Sequence, residues 1–212
     1  MNTSRRRLTA LLLTLAGLFA TAAIAQTETT AVARPTENVA AAGPRVVLET
    51  RLGRIVIELY PAKAPRTVEN FLSYVRDGHY NGTVFHRVIP DLLIQGGAFT
   101  SDLQQKPERA PIANESNNGL SNLRGTIAAA RRAGEKDSAR AQFFINTVDN
   151  RQLDYHGDAS AFTTGYCVFG RVVEGLDVID KIRALPTAAK APFAADVPVT
   201  PVLIERAQIL SE

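Results

Sequence analysis

Hydrophobic and polar residues alternate along some parts of the chain and recur every three or four residues in others. Alternation over 45–51 and 54–60, on either side of a glycine, is typical of two half-buried strands joined in a β-hairpin. Residues 65–77 have the longer period, because four apolar residues fall on one helical face. Pro65 suits the first turn of a helix and Gly78 suits its end, so we predict a helix over this range. The residues of that face are Val68, Phe71, Leu72 and Val75.

The rest of the chain consists of short apolar runs and long polar loops. Residues 84–99 carry two apolar runs around Pro90-Asp91, which predicts a strand, a turn and a second strand. A second helix is predicted over 174–184, ended by Pro186. Further strands are predicted at 125–130, 142–146, 166–172 and 202–208, with long loops at 100–122, 131–140 and 149–165. These elements predict a mostly β fold, a closed eight-stranded antiparallel barrel capped by two α-helices.

The N-terminal segment has a different composition from the rest of the chain. Three consecutive Arg residues, an apolar run over 8–20 and an Ala-Ile-Ala motif ending at Ala25 are the three parts of a cleavable export signal. Residues 4–8 also resemble a twin-arginine signal, so the general secretory and twin-arginine routes both stay open. We predict a signal peptide at 1–25, a flexible linker at 26–43 and one folded domain at 44–210.

The predicted signal peptide also accounts for the net charge. The whole sequence carries 24 basic and 21 acidic residues. Three of the basic residues and none of the acidic ones lie in 1–25, which leaves 21 against 21. A balanced mature chain gives no electrostatic reason to expect a nucleic acid or a membrane surface as partner.

Few residues are available for catalysis by proton transfer or by a metal. The single cysteine, Cys167, allows no internal disulfide and lies in a strand-like run that is typical of a buried thiol. The histidines, His79, His86 and His156, are not spaced as metal ligands, so we predict no metal and no other cofactor. The motifs of nucleotide binding and of serine hydrolases are absent from the sequence.

Arg87 is the unusual residue of the central hairpin, because it lies in an apolar strand. One interpretation is an edge Arg whose side chain reaches water. The other is a functional Arg that acts with Gln95 and neighbouring apolar residues, which together can bind a peptide. Such a set can also catalyse rotation about an X–Pro bond, whose barrier of ~18–20 kcal/mol comes from double-bond character. A guanidinium donating to the prolyl nitrogen stabilises the twisted transition state more than the planar ground state, without proton transfer.

Five sequence blocks make this interpretation more specific. They are Phe85-His86-Arg87-Val88-Ile89-Pro90, Gln95-Gly96-Gly97, Asn122-Leu123-Arg124-Gly125-Thr126-Ile127-Ala128, Gln142-Phe143-Phe144-Ile145-Asn146 and Val168-Phe169-Gly170-Arg171-Val172. In this order and spacing they resemble the cyclophilin-type peptidyl-prolyl cis-trans isomerases, specifically the bacterial exported branch, over about residues 45–210. The resemblance implies the same eight-stranded barrel with two capping helices.

The resemblance also implies a role for individual residues. Arg87 matches the catalytic arginine, Gln95 matches the glutamine that orients the substrate and supports that arginine, and Phe144 matches the floor of the proline pocket. The matching substrate-binding positions are Leu92, Leu93, Ala130, Gln142, Leu153 and Tyr166.

Four positions depart from the family pattern. Leu92 stands where an aromatic wall residue is usual, and Gln152 stands where animal cyclophilins have the Trp that contributes to cyclosporin binding. Tyr166 replaces a His and Arg131 replaces an Asn. These departures imply weak cyclosporin binding and a less aromatic pocket.

The sequence thus leads us to expect a periplasmic, monomeric prolyl isomerase that acts on proline-containing peptides and on unfolded exported proteins. A different class of function stays open, a peptide-binding module or holdase without useful turnover, which Leu92 and Gln152 favour. A metal-dependent hydrolase is disfavoured because the sequence lacks suitably spaced ligands.

Overall fold

The computed structural model describes residues 43–211 of the chain. The predicted signal peptide and all but the last residue of the predicted linker lie outside the described residues. Within them, no helix is both long and apolar enough to cross a membrane.

Ten strands and two helices make up the described part. The strands are β1 (Arg45–Thr50), β2 (Gly53–Leu59), β3 (Thr83–Ile89), β4 (Leu93–Thr100), β5 (Thr126–Ala129), β6 (Phe143–Asn146), β7 (Val168–Glu174), β8 (Thr187–Lys190), β9 (Phe193–Pro198) and β10 (Ile204–Ser211). The helices are α1 (Pro65–Arg76) and α2 (Leu176–Arg183), and a single 3₁₀ turn covers Arg151–Leu153. The prediction of a mostly β fold with two helices is confirmed.

Eight of the strands form one antiparallel sheet in the order β10-β1-β2-β7-β5-β6-β4-β3. The sheet curls into an open half-barrel of 238°, so the predicted closed barrel is not confirmed. Its edge strands are joined only by an isolated bridge between Val84 and Leu203 and by single hydrogen bonds beside it. Pro201, which has no N–H to donate, lies just before β10 and cannot take part in a continuous ladder.

The remaining strands, β8 and β9, form a hairpin that the sequence did not predict. Every residue of β8 is exposed, and its sequence Thr-Ala-Ala-Lys has no apolar alternation. The hairpin is held instead by two side chains of β9, Phe193 and Val197, which join a small apolar cluster with Val84, Phe99 and Leu103. Its position beside β3 places it next to the central hairpin of the sequence.

Helix α1 packs its apolar face into the main core, where the predicted face residues are all buried. Phe71 is the centre of an aromatic group, with ring centroids 5.1 Å from Tyr80, 5.3 Å from Phe169 and 5.7 Å from Phe143. Helix α2 begins after Gly175, which has a positive φ of 95°, and packs against β2. The core therefore fixes the positions of β3, β4 and β6, which carry the site described below.

The N-terminus of α1 is capped from a distant loop. Its N-cap residue, Ala64, has no side-chain hydrogen bond to offer, but the carboxylate of Glu115 accepts from the backbone N–H of Arg66 (3.2 Å) and of Thr67 (2.9 Å). The same carboxylate accepts from the hydroxyl of Thr67 at 2.8 Å. Glu115 thus satisfies free N–H groups and places a negative charge at the positive end of the helix.

We expect Glu115→Ala to lower the free energy of unfolding by about 1–2 kcal/mol, as loss of an N-cap does. Urea unfolding followed by circular dichroism measures this difference. Glu205→Ala, which removes an exposed carboxylate paired with Arg51, is the matched control and should change stability by less than about 0.5 kcal/mol. Equal losses in the two variants would contradict the capping role.

Candidate active site

Arg87, Gln95 and Phe144 form one row across three strands. Arg87 in β3 lies opposite Gln95 in β4, and Gln95 lies opposite Phe144 in β6. Residues directly opposite each other in paired strands point to the same face of a sheet. Their neighbours Val88 and Ile94 belong to the main core, so the row lies on the other, outer face. The three residues predicted as catalytic are therefore brought together by strand register.

Phe144 is the centre of a second apolar cluster on this outer face. Its side chain is only 2% exposed, and the ring lies edge-on to Tyr166 with centroids 5.5 Å apart. Buried members of the cluster are Leu93, Ala128, Ala130, Phe144 and Val168, and half-buried residues around them are Leu92, Leu120, Leu153 and Tyr166. The cluster thus contains five of the six predicted substrate-binding residues and the predicted pocket floor.

The sixth, Gln142, lies between this cluster and a neighbouring cavity. Its side-chain Oε1 accepts a hydrogen bond of 2.9 Å from Nε2 of Gln95. Both glutamines and Ala130 line a cavity of about 220 Å³, together with the cationic residues Arg131, Arg132 and Arg140. The guanidinium of Arg131 lies 4.4 Å from the centroid of the Tyr166 ring and donates to the carbonyl of Gly165 at 3.0 Å. Arg131 therefore braces the wall that Tyr166 forms.

Arg87 has a partner that the sequence did not indicate. Its Nε lies 3.5 Å from Oδ2 of Asp196 in β9, and the Arg87 side chain is 43% exposed. No side-chain hydrogen bond joins Gln95 to Arg87 in the described part of the chain, and the Gln95 amide nitrogen donates to Gln142. Among residues 43–211, Arg87 forms an ion pair with Asp196 alone. Arg87 thus lies in an edge strand with a side chain that reaches water, as one of the two interpretations expected, and it is also paired with a carboxylate.

A buried set of asparagines supports the walls of the site from below. Asn122 is fully buried, and its Nδ2 donates to the carbonyls of Leu153 (3.1 Å) and Tyr166 (3.4 Å). Its Nδ2 and its backbone N–H also donate to Oδ1 of Asp154, at 3.1 and 2.7 Å. Nδ2 of Asn146 in turn donates to Oδ1 of Asn122 at 3.2 Å.

The network continues to the opposite wall. Nδ2 of Asn150 donates to the carbonyl of Leu92 at 2.7 Å and to Oδ1 of Asn146 at 2.8 Å. Asn146 also donates to the hydroxyl of Thr126 at 2.9 Å. This supporting role was not predicted, although Asn122 and Asn146 lie in two of the five sequence blocks. The available signal was Asn146, an amide at the end of an apolar strand, where a buried polar side chain needs several partners.

Two ionisable side chains near the site, Cys167 and His86, are held in their neutral forms by burial. Burial raises the pKa of the Cys167 thiol to about 11, so this residue is a buried neutral thiol, as predicted. Burial, with the nearby charge of Arg87, lowers the pKa of His86 to about 4. Residues 43–211 contain no group of three His, Cys, Asp or Glu side chains that could hold a metal ion.

His86 is sandwiched between aromatic rings. It is 2% exposed, its ring centroid lies 4.7 Å from Phe99 and 5.2 Å from Phe193, and its Nδ1 has no hydrogen-bond partner. The unfolded chain binds a proton at this residue below about pH 6.5, whereas the folded chain does so only near pH 4. Folding stability is therefore lost as the pH falls through this window.

We expect the free energy of unfolding to fall by about 2–3 kcal/mol more in wild type than in His86→Phe between pH 7 and pH 4.5. Urea unfolding of both proteins at the two pH values measures the difference, and the common carboxylates cancel in the comparison. An identical pH dependence in the two proteins would contradict the assignment of a neutral, buried His86.

Comparison with known proteins gives a consistent result. Residues 45–209 match the family described as cyclophilin-type peptidyl-prolyl cis-trans isomerase. The chain is 56% identical to the peptidyl-prolyl cis-trans isomerase cyp18 of Streptomyces antibioticus over 165 residues, which cover 78% of this chain and 98% of that protein. It is 51% identical to peptidyl-prolyl cis-trans isomerase B of Escherichia coli over 160 residues, covering 76% and 96%.

The fold agrees with these relatives. A crystal structure of a cyclophilin-type peptidyl-prolyl cis-trans isomerase of Cryptosporidium parvum, determined in the presence of the dipeptide Ala-Pro, superposes with a TM-score of 0.66. The superposition covers 79% of this chain and 99% of that one at 24% identity, so it bears on the fold alone. By sequence and by fold, the chain belongs to the family of cyclophilin-type peptidyl-prolyl cis-trans isomerases.

Proposed function

We propose that this isomerase accelerates rotation about X–Pro bonds by donating a hydrogen bond from the Arg87 guanidinium to the prolyl nitrogen. The observation that carries the proposal is the row of Arg87, Gln95 and Phe144 on one face of the sheet. In this proposal Arg87 is the positive donor at one end of the row, and Phe144 is the buried aromatic floor at the other. The mechanism requires that a proline ring packed on Phe144 presents its imide nitrogen to the side of Gln95 and Arg87.

The chemistry requires a donor and an apolar surface, but no acid or base. In the planar imide the nitrogen lone pair is delocalised into the carbonyl, and this resonance creates the barrier of ~18–20 kcal/mol. In the twisted state the lone pair is localised on nitrogen and accepts a hydrogen bond. A donor that is aimed at this atom binds the transition state better than either ground state, and it thereby raises kcat.

The remaining residues position the peptide. The Gln95 and Gln142 amides lie beside the cluster and offer hydrogen bonds to a peptide backbone. Leu92, Leu93 and Leu153 contribute apolar walls, and Ala130 leaves room between the cluster and the adjoining cavity. Tyr166 adds its ring, which lies edge-on to Phe144, and its backbone N–H donates to the carbonyl of Leu153 at 2.9 Å.

We further propose that the protein acts as a monomer in the periplasm on unfolded exported proteins. The N-terminal pattern of the sequence supports export, and uncatalysed prolyl isomerisation takes ~10–100 s, long enough to limit folding. Mass spectrometry of the protein isolated from the periplasm should give a mature N-terminus at Gln26. A chain that keeps residues 1–25 and stays in the cytoplasm would contradict this part of the proposal.

Refolding of a protein whose slow phase is limited by a prolyl bond tests the folding role. We expect catalytic amounts of the isomerase to shorten that phase, and an equal amount of Arg87→Ala to leave it unchanged. Acceleration that requires stoichiometric protein and is the same with Arg87→Ala would favour the holdase instead.

A further inference from the structure

The β8–β9 hairpin is fixed to the strand that carries Arg87. The ring of Phe193 lies 5.0 Å from Phe99 and 5.2 Å from His86, the residue that precedes Arg87. Val197 is 5% exposed and belongs to the same apolar cluster as Val84 of β3. These two anchors flank residues 194–196, so the backbone between them is held against β3.

Asp196 lies between the two anchors, in an unusual backbone conformation. Its φ is +66°, in the left-handed region that Asp and Asn adopt more readily than most other residues. Its Oδ2 lies 3.5 Å from Nε of Arg87. This contact engages Nε, while the two Nη groups of the guanidinium form no hydrogen bond or ion pair with residues 43–211.

We propose that Asp196 is a positioning residue for the isomerase reaction and acts through Arg87. The inference rests on the function proposed above. A free arginine side chain has many rotamers, and at 43% exposure little packing restricts those of Arg87. A carboxylate at Nε restricts the side chain while both Nη groups stay available to the prolyl nitrogen. The hairpin thus increases the fraction of time that the donor is aimed at the substrate.

Asp196→Asn is the most specific test, because Asn tolerates the left-handed conformation and keeps the shape of the side chain. We expect kcat for a proline peptide to fall about two- to fivefold, as the strength of a half-exposed ion pair suggests, with KM changed by less than about twofold. Asp91→Asn is the matched control. Asp91 is 91% exposed in the turn between β3 and β4 and pairs with Arg183, so this variant should keep wild-type kinetics.

A second measurement separates positioning from a general structural effect. In ¹⁵N relaxation, the Nε–H of Arg87 should be ordered in wild type and in Asp91→Asn, but mobile in Asp196→Asn. Kinetics of Arg87→Ala with and without Asp196→Asn complete the test, since Asp196→Asn should have no further effect once the guanidinium is absent.

Wild-type or higher kcat in Asp196→Asn would overturn this inference, as would an equal loss in the Arg87→Ala background. If Arg87→Ala greatly slows the reaction while Asp196→Asn does not, only the role of Asp196 fails. If Arg87→Ala itself keeps wild-type kinetics, the proposed function fails, and the role of Asp196 fails with it.

Discussion

Arg87→Ala is expected to lower kcat/KM for a proline-containing peptide by about 100- to 1,000-fold. This is the usual loss when one preorganised donor to a transition state is removed. Gln95 and Phe144, the other two residues of the row, are unchanged in this variant, so the peptide should still bind. The loss should therefore appear mainly in kcat. A protease-coupled or NMR assay with a short X-Pro peptide measures it.

Two further variants make this result interpretable. Arg87→Lys keeps the charge but loses the planar guanidinium, so its activity should lie between wild type and Arg87→Ala. Arg51→Ala removes an exposed arginine that is paired with Glu205 far along the chain, and it should keep wild-type kinetics. A loss below about threefold in Arg87→Ala would contradict the proposed mechanism and favour a peptide-binding module.

Asn122→Ala is expected to lower the free energy of unfolding by about 3 kcal/mol. The variant removes donors to two wall carbonyls and the acceptor for Asn146, all in a fully buried environment. Buried groups left without partners each cost about 1–3 kcal/mol, and members of a network support one another. Urea unfolding measures the loss.

Isosteric and surface variants provide the controls for this second prediction. Asn122→Asp keeps the volume but places a carboxylate beside that of Asp154, so it should be at least as destabilising as the alanine variant. Asn117→Ala removes an exposed amide from the same loop and should stay within about 0.5 kcal/mol of wild type. If Asn122→Ala is no less stable than Asn117→Ala, the network does not support the site walls.

The parts of the fold with strong periodicity were predictable from the sequence. Helix α1 was predicted over 65–77 and spans Pro65–Arg76, since its apolar face and its Pro and Gly boundaries are local signals. The turn at Pro90-Asp91 and the strands around it have the same local origin. The face of the sheet on which Arg87, Gln95 and Phe144 lie was predictable for the same reason. Each of them alternates along its strand with residues that must enter the core.

Features that depend on distant contacts were not predictable. The β8–β9 hairpin has an exposed, alanine-containing strand, and its apolar contacts with β3 and β4 come from Phe193 and Val197. The pairing of Asp196 with Arg87 follows from that packing and has no signal in the local sequence. Closure of the barrel was overpredicted because a count of strands does not show whether the edge residues can pair.

Some site residues have a signal in the local sequence, and others do not. Arg87 was identifiable as an isolated charge in an apolar strand, while Leu92, Leu153 and Tyr166 were found only through the family resemblance. The structure adds the physical reason for their grouping, since all three lie around Phe144.

The rate of isomerisation while the peptide is bound tests the central claim most directly. Exchange NMR on a peptide in the presence of wild type and of Arg87→Ala separates this rate from the dissociation constant. We predict that the on-enzyme rate falls about 100-fold or more in Arg87→Ala, with the dissociation constant changed by only a few-fold. An unchanged on-enzyme rate combined with weaker binding would show that Arg87 only holds the peptide, and it would contradict hydrogen-bond donation to the prolyl nitrogen as the source of catalysis.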